Sequence, residues 1–360
     1  MFAYSTPHDV HLFVPGRVCL FGEHSDWAGA YRRLSPDIPP GCVIIHGTEQ
    51  GLRATVRRAH RRILLRSTLT DGTTHTLTMP LNPDDLLEKA RQGGFFSYAA
   101  GTAWYLTTFY QVDGIEIDNY ETTLPVAKGL SSSAAYCVLV ARAYNRVYDL
   151  KLTPRAEMEA AYQGELLTPS RCGRMDQGCA YGQRPVLMTF DGELLQTRTL
   201  SIGGTFHLLI ADLGGAKDTV RILADLSAAY PTPANDIQRN VQRYLGEVNQ
   251  SIVRRASVIL AQGDPIALGR LMTEAQEQFD QLVAPACPSQ LTAPLLHRVL
   301  DDPTVRRLSC GAKGVGSQGD GSVQFVTRDE AMRQQLADHL RDAFGMTSFP
   351  LDLDLTPSVL

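Results

Sequence analysis

Extended and helical segments fall in separate blocks along this chain, and that segregation limits the fold more than any other feature of the sequence. From Val10 to Phe21 the residues read as strand, a turn at Pro15-Gly16, and strand again, and Cys42 to Ser67 reads as two further strands rich in alternating and β-branched residues. Residues 83 to 110 then carry Leu86, Leu87, Ala90, Phe96, Ala99, Trp104 and Leu106 at helical intervals, ahead of a strand at 113 to 123. An apolar helix over 132 to 148 follows, then an amphipathic one over 154 to 167 opened by Thr153-Pro154. Residues 184 to 190 return to the sheet, and Phe206 to Asp212 is a buried strand. Beyond it helices at 234 to 260 and 264 to 281 dominate, up to a glycine-rich loop at Gly311 to Gly321 between strand-like segments. Blocks of this kind, without regular βαβα alternation, predict an α+β protein of two-layered domains. The change of pattern places a boundary near 200, giving domains of 1–200 and 201–360. A chain of 360 residues, 44% hydrophobic, has material for two cores.

Charge and cysteine usage remove whole classes of function. A formal net charge of -4 lacks the electrostatic footprint of a nucleic-acid binder, and the run Arg57, Arg58, Arg61, Arg62 reads as a solvated strand or turn edge. Seven cysteines lie scattered without CxxC or Cys/His ligand spacing, against a zinc site and against a disulfide framework. Nothing reads as a leader or as a membrane-spanning run. The expectation is a cytoplasmic protein with reduced thiols and no nucleic-acid or membrane partner, a monomer or homodimer.

The sharpest local feature is LPVAKGLSSSAA, Leu124 to Ala135. A strand ends, Gly129 permits an unusual turn, and Ser131, Ser132 and Ser133 open an apolar helix. Unpaired N–H groups at a helix start, the positive end of its dipole, three hydroxyls and the adjacent Lys128 suit a polyphosphate. From these residues alone, an ordinary serine N-cap beside a surface lysine stands as the alternative. The segment is neither GxxxxGK[ST] nor GxGxxG.

With two other segments in order, it resembles the motifs of the GHMP kinases, the family of galactokinase, homoserine kinase, mevalonate kinase and phosphomevalonate kinase. PGRVCLFGEHSDWAG, Pro15 to Gly29, is similar to the first motif; LPVAKGLSSSAA to the second; GAKGVGSQGDG, Gly311 to Gly321, to the C-terminal glycine loop. YQGELLTPSRCGRMDQ, Tyr162 to Gln177, resembles the stretch carrying an acidic metal ligand and, eleven residues later, an aspartate. DLGGAKDT, Asp212 to Thr219, resembles a loop ending in a hydroxyl near the phosphates. The resemblance implies a two-domain fold, an N-terminal domain like ribosomal protein S5 domain 2 and a ferredoxin-like C-terminal domain, with the active site between them.

It also implies roles. Lys128, Gly129, Leu130, Ser131, Ser132, Ser133, Ala134, Thr219 and Gly316 would bind the nucleotide, and Ser133 with Glu165 would hold Mg²⁺ beside ATP. Asp176 would accept or orient the substrate hydroxyl, with Arg17 beside it and the γ-phosphate. Glu23, His24, Asp26 and Trp27 would bind the acceptor, Trp27 by stacking on a pyranose face. Asp26 and CGRMDQ are galactokinase-like, whereas Cys19, Trp27 and SSAAYCV depart from that pattern. Lys313, Gln318 and Asp320 replace small residues of the third motif. Arg32, Arg33, Arg171 and Arg174 are candidate partners for an anionic substrate group. Cys137, Cys172 and Cys179 read as packing residues. The implied function is ATP-dependent phosphorylation of a hydroxyl, by analogy the anomeric C1 hydroxyl, of a hexose, pentose or uronic acid. The alternatives are a mevalonate-pathway kinase or decarboxylase, or a sugar and ATP sensor without turnover.

Overall fold

The computed structural model describes residues 9–124, 131–170 and 172–354. In chain order the elements are β1 (Val10–Phe21), α1 (Ser25–Ala30), β2 (Gly41–Ala59), β3 (Arg62–Thr68), β4 (Thr74–Pro80), α2 (Pro83–Gln92), α3 (Ser97–Phe109), β5 (Gly114–Thr122), α4 (Ser132–Tyr148), α5 (Pro154–Glu165), β6 (Val186–Asp191), β7 (Leu194–Thr199) and β8 (Phe206–Asp212). There follow α6 (Thr219–Ser227), α7 (Asp236–Arg243), α8 (Asn249–Gln262), α9 (Pro265–Leu282), α10 (Pro288–Leu291), α11 (Pro294–Leu300), α12 (Pro303–Leu308), β9 (Gly311–Gly314), β10 (Ser322–Thr327), α13 (Glu330–Phe344) and β11 (Ser348–Leu353). No helix among the described residues is long and apolar enough to cross a membrane.

Compactness divides the chain into 1–17 with 47–183, and 18–46 with 184–360. That differs from a single cut near 200, because β1 and β2 each run from one unit into the other.

In the first unit β4, β3, β5 and the second half of β2 hydrogen-bond in that order, with β3 and β5 parallel and the other pairs antiparallel. Helices α3, α4 and α5 pack on one another. Their sequences explain why. α4 is buried continuously from Ala134 to Asn145, mostly by apolar residues, and is the central helix. α5 starts where the Thr153 hydroxyl accepts from the Ala156 N–H and Pro154 occupies the first turn. Between α3 and α5 two glycines let the backbones touch: a Cβ on Gly101 would sit 2.2 Å from the Gly164 carbonyl oxygen, and one on Gly164 would sit 2.5 Å from Thr102 Cα.

In the second unit the first half of β2 pairs with β6, and β6 with β7. A separate antiparallel sheet has the order β11-β8-β10-β9. Its chain order, strand, helices, two strands, helix, strand, with the fourth strand beside the first, is the split arrangement of a ferredoxin-like domain. One apolar cluster joins Leu209, Ala211, Leu296, Val299, Phe325, Leu336 and Leu340; a second joins Ile222, Leu226, Tyr230, Leu245 and Phe279, with Trp27 and Tyr31 packed against it.

Several sequence expectations change. The turn at Pro15-Gly16 is absent: β1 is one strand, and because among the described residues it pairs with β2 alone, proline's missing N–H is tolerated there. The helical stretch 83–110 is two helices, broken at Gly93 and Gly94, whose φ values of 77° and 84° no ordinary helical residue adopts. The glycine-rich loop begins as strand β9, and only the residues between β9 and β10 form the turn. Strands β4, β7 and β11 and helix α13 were not anticipated.

Candidate active site

In the first unit three candidate residues from distant segments converge. Arg17, buried on β1, donates to Asp176 Oδ1, and the Ser131 hydroxyl donates to the same oxygen at 2.7 Å. Asp176 opens a short 3₁₀ turn, Asp176–Tyr181, and its carboxylate remains partly exposed. Ser131 takes the N-cap position of α4 at φ 55° and makes no side-chain cap. An ordinary capping serine turns its hydroxyl back onto its own helix. This one spends it on Asp176, which favours the site over the simple cap.

Glu165, the last residue of α5, is fully buried behind them. Its Oε2 accepts from Gln177 Nε2 at 2.7 Å, while Oε1 has no hydrogen-bond partner among the described residues. Burial, and next the charge of Asp176, push its carboxyl up to about 7, against the lowering effect of the hydroxyl of Ser133 beside it. A buried carboxyl oxygen without a partner, next to a hydroxyl, is a donor pair that a hard cation would complete. Ser133 and Glu165 therefore fit Mg²⁺. Gln177 was missed as a site residue, although it follows Asp176 directly. Nothing but a fold could show that its amide reaches back to Glu165.

The neighbouring thiols behave as packing groups. Cys137 and Cys179 are wholly buried, and burial pushes both up, Cys179 to about 12. Cys172 lies within reach of the Gln177 amide, 3.4 Å from Nε2. Ser132 and Ala134 lie in the first turn of α4. Lys128, Gly129, Leu130 and Arg171 lie outside the described residues.

In the second unit Glu23, His24 and Asp26 are all buried at the start of α1. Gly22 at φ 97° makes the turn, and a Cβ there would sit 2.1 Å from the Cys42 carbonyl oxygen. Trp27 is half-buried among Tyr230 and His24, and its indole N–H donates to His24 Nδ1 at 3.1 Å. Tryptophan is a donor only, so Nδ1 accepts and the proton of neutral His24 sits on Nε2. Glu23 Oε1 accepts from buried Lys313 on β9. Thr219 at the start of α6 has its hydroxyl 3.1 Å from that of Ser317, next to Gly316, whose φ is 68°. Asp320 Oδ1 accepts from the N–H groups of Leu295 and Leu296 at 2.9 and 3.0 Å, capping α11.

The arginines are held elsewhere. Arg32 donates to Asp191 and to the carbonyls of Pro36 and Ile38, Arg33 to Glu193, and Arg174 to Glu159 while lying over the Tyr162 ring. Arg57 is paired with Glu116 at 2.5 Å, and Arg58 binds the Val147 carbonyl and covers Tyr148, as a strand edge should.

Comparison with known proteins bears on both units. The profile of the GHMP kinases N terminal domain matches residues 97–183. A galactokinase of Thermococcus kodakarensis is 26% identical over 87% of each chain. The crystal structure of Lactococcus lactis galactokinase complexed with galactose superimposes with a TM-score of 0.73 at 16% identity, covering 96% of this chain and 94% of that one. Methanococcus jannaschii mevalonate kinase gives 0.71 at 17% identity, over 97% and 99%. The chain is thus a phosphotransferase with a hydroxyl as acceptor. Residues 97–183 match the GHMP kinases N terminal domain, and the chain has the two-domain fold of these kinases.

Proposed function

We propose that the protein transfers the γ-phosphoryl group of ATP to a hydroxyl of an uncharged monosaccharide, by analogy the anomeric C1 hydroxyl. The observation that carries this reading is the convergence of Arg17 and Ser131 on Asp176, with Glu165 and Ser133 alongside. Phosphoryl transfer needs alignment and charge compensation more than covalent chemistry. Asp176 would orient the acceptor hydroxyl and take its proton. Arg17 compensates the charge of Asp176 and would meet that of the transferred group. Ser131 fixes which carboxylate oxygen faces the arginine. Ser133 and Glu165 would hold Mg²⁺, which when bound neutralises phosphate charge. The N–H groups opening α4 suit phosphate oxygens, and Lys128, Gly129 and Leu130 would complete that cradle. Thr219 and Gly316 would approach the nucleotide from the loops that carry them.

Glu23, His24, Asp26 and Trp27 would form the acceptor pocket, and their chemistry favours hydroxyls. Arg32, Arg33 and Arg174, the described candidates for an anionic group, are each engaged by a carboxylate of the protein. That disfavours a uronic acid, a sugar phosphate or mevalonate. Coupled ADP release with Mg-ATP across free hexoses, pentoses, uronic acids, sugar phosphates and mevalonate tests the reading. A neutral sugar as strongest acceptor is expected; turnover of mevalonate alone would replace it with the isoprenoid reading, and sugar binding without turnover with the sensor. Asp176→Asn should lower kcat by roughly a thousandfold with a modest change in ATP affinity. Near-normal turnover by that variant would remove Asp176 from the chemistry.

A further inference from the structure

Lys313 stands where the third motif departs from small residues, and none of the transfer chemistry uses it. It is 1% exposed, among the largest fully buried side chains of the protein. An ammonium taken out of water persists only if its donors are met. Here Nζ donates to Glu23 Oε1 and, at 2.9 Å, to the Gly314 carbonyl. The strand that carries it is pinned in turn: the Gly314 N–H donates to Gln276 Oε1 at 2.7 Å, and Gln276 Nε2 donates to Asp280 at 2.8 Å. On the neighbouring strand Gln324 Nε2 donates to the carbonyls of Cys19 and Leu20, just before the turn that presents Glu23. An ion pair and two amide side chains thus make the first and third motifs one rigid object.

The other groups around Glu23 have their own partners. Tyr244 donates to the Ala275 carbonyl, and burial together with the charge of Glu23 pushes its phenol well above the usual range, so it stays neutral. Asp280 is 3.5 Å from His297. His24 accepts a hydrogen bond from the indole N–H of Trp27.

We infer that Lys313 is a positioning residue for acceptor recognition: by holding Oε1 of Glu23 it orients Oε2 toward a hydroxyl of an uncharged polyol and cancels the charge of that wall. The inference rests on the sugar-acceptor reading above. Because the lysine's hydrogen bonds go to Glu23 and to the Gly314 carbonyl, its loss should act on the acceptor KM and spare both the ATP KM and kcat. An anionic acceptor would need the ammonium for itself, and the pair with Glu23 withholds it.

The test uses the full chain with D-galactose as the first probe, comparing wild type with Lys313→Met, Lys313→Arg, Glu23→Gln and the double variant Lys313→Met/Glu23→Gln. Lys313→Met should raise the acceptor KM about tenfold or more, with kcat and the ATP KM within about threefold, and Lys313→Arg should recover part of the loss. If Lys313→Met does not fold, Lys313→Arg carries the test and should raise the acceptor KM by a smaller factor while sparing the ATP KM, and the double variant, which leaves no unpaired buried charge, reports on folding alone. Unchanged acceptor KM in the folded Lys313 single variant, or equal losses in both substrates, would overturn the inference. A second readout is the ¹⁵N signal of the sequestered Lys313 ammonium, which should persist in wild type and vanish in Glu23→Gln. If that signal behaves so while no sugar is bound or turned over, the sugar reading fails and the clamp stands; if the signal is unmoved by Glu23→Gln, the clamp itself is refuted.

Discussion

Replacing Glu165 by glutamine should stabilise the metal-free protein at neutral pH while removing most of its activity. Its carboxyl is raised from an ordinary 4.5 to about 7, by burial first and by Asp176 second. Below about pH 4.5 the group is protonated folded and unfolded alike, and no penalty arises. As pH rises toward 7 the unfolded chain ionises first, the folded chain retains its proton, and stability falls. Past 7 the loss is complete, about 3 kcal/mol at roughly 1.4 kcal/mol per pH unit. Glutamine keeps the shape, still accepts from Gln177, and cannot ionise. The difference in stability between variant and wild type should therefore grow by about 2.5 kcal/mol between about pH 5 and about pH 8. Thermal melts or urea unfolding in EDTA across that range measure it. Adding Mg²⁺ should then raise the melting point of the wild type and leave the variant unmoved, because the cation needs the ionised oxygen. Parallel stability curves would mean that Glu165 is not held up near 7. A variant that responds to Mg²⁺ like wild type would remove Glu165 from the metal site.

Other expectations follow from the packing around the site. Arg142 is buried and donates to Glu157 at 2.9 Å and to the Ala180 carbonyl at 2.6 Å; Arg142→Met alone should cost about 3–5 kcal/mol by stranding Glu157, and the double change with Glu157→Met should regain much of it, both read from denaturant midpoints. Gly164→Ala drives a methyl into the backbone of α3 one residue before Glu165, and should cost about 1–3 kcal/mol in unfolding measurements and lower kcat as the carboxyl shifts. Asp320→Gly should cost about 1 kcal/mol in thermal unfolding and leave the acceptor preference unchanged; a changed preference would place Asp320 in the pocket rather than at a helix end.

How much of this the sequence disclosed depends on how local each feature is. The capped start of α5, the apolar α4 and the strand β8 follow from neighbours along the chain, and their limits fall within about two residues of those expected. Asp176 and Arg17 are 159 residues apart, and only the ordered motifs of the family joined them in advance. Glu23 and Lys313 are 290 apart and no pattern announced their pairing. Trp27 shows the limit in one residue: the family resemblance implies stacking on a pyranose face, whereas partial burial against Tyr230 and a bond to His24 give it a second task that spacing cannot express.

Asp320 carries the point furthest. A carboxylate where the family's third motif has a small residue is, from sequence alone, a departure without an assigned role. Yet α11 begins after Ala293, whose methyl offers no oxygen to the first N–H groups of the helix and which sits at φ 44°. Proline at position 294 removes one donor, and the N–H groups of Leu295 and Leu296 remain. Asp320, 24 and 25 residues further on, accepts both. The loop is thereby tied down by a charge-assisted cap, in place of the close backbone approach that glycine permits. The departure from the family pattern is thus accounted for by the needs of a neighbouring helix end, and the distinctive residues of the proposed acceptor pocket are left as Trp27 and the Glu23–Lys313 pair.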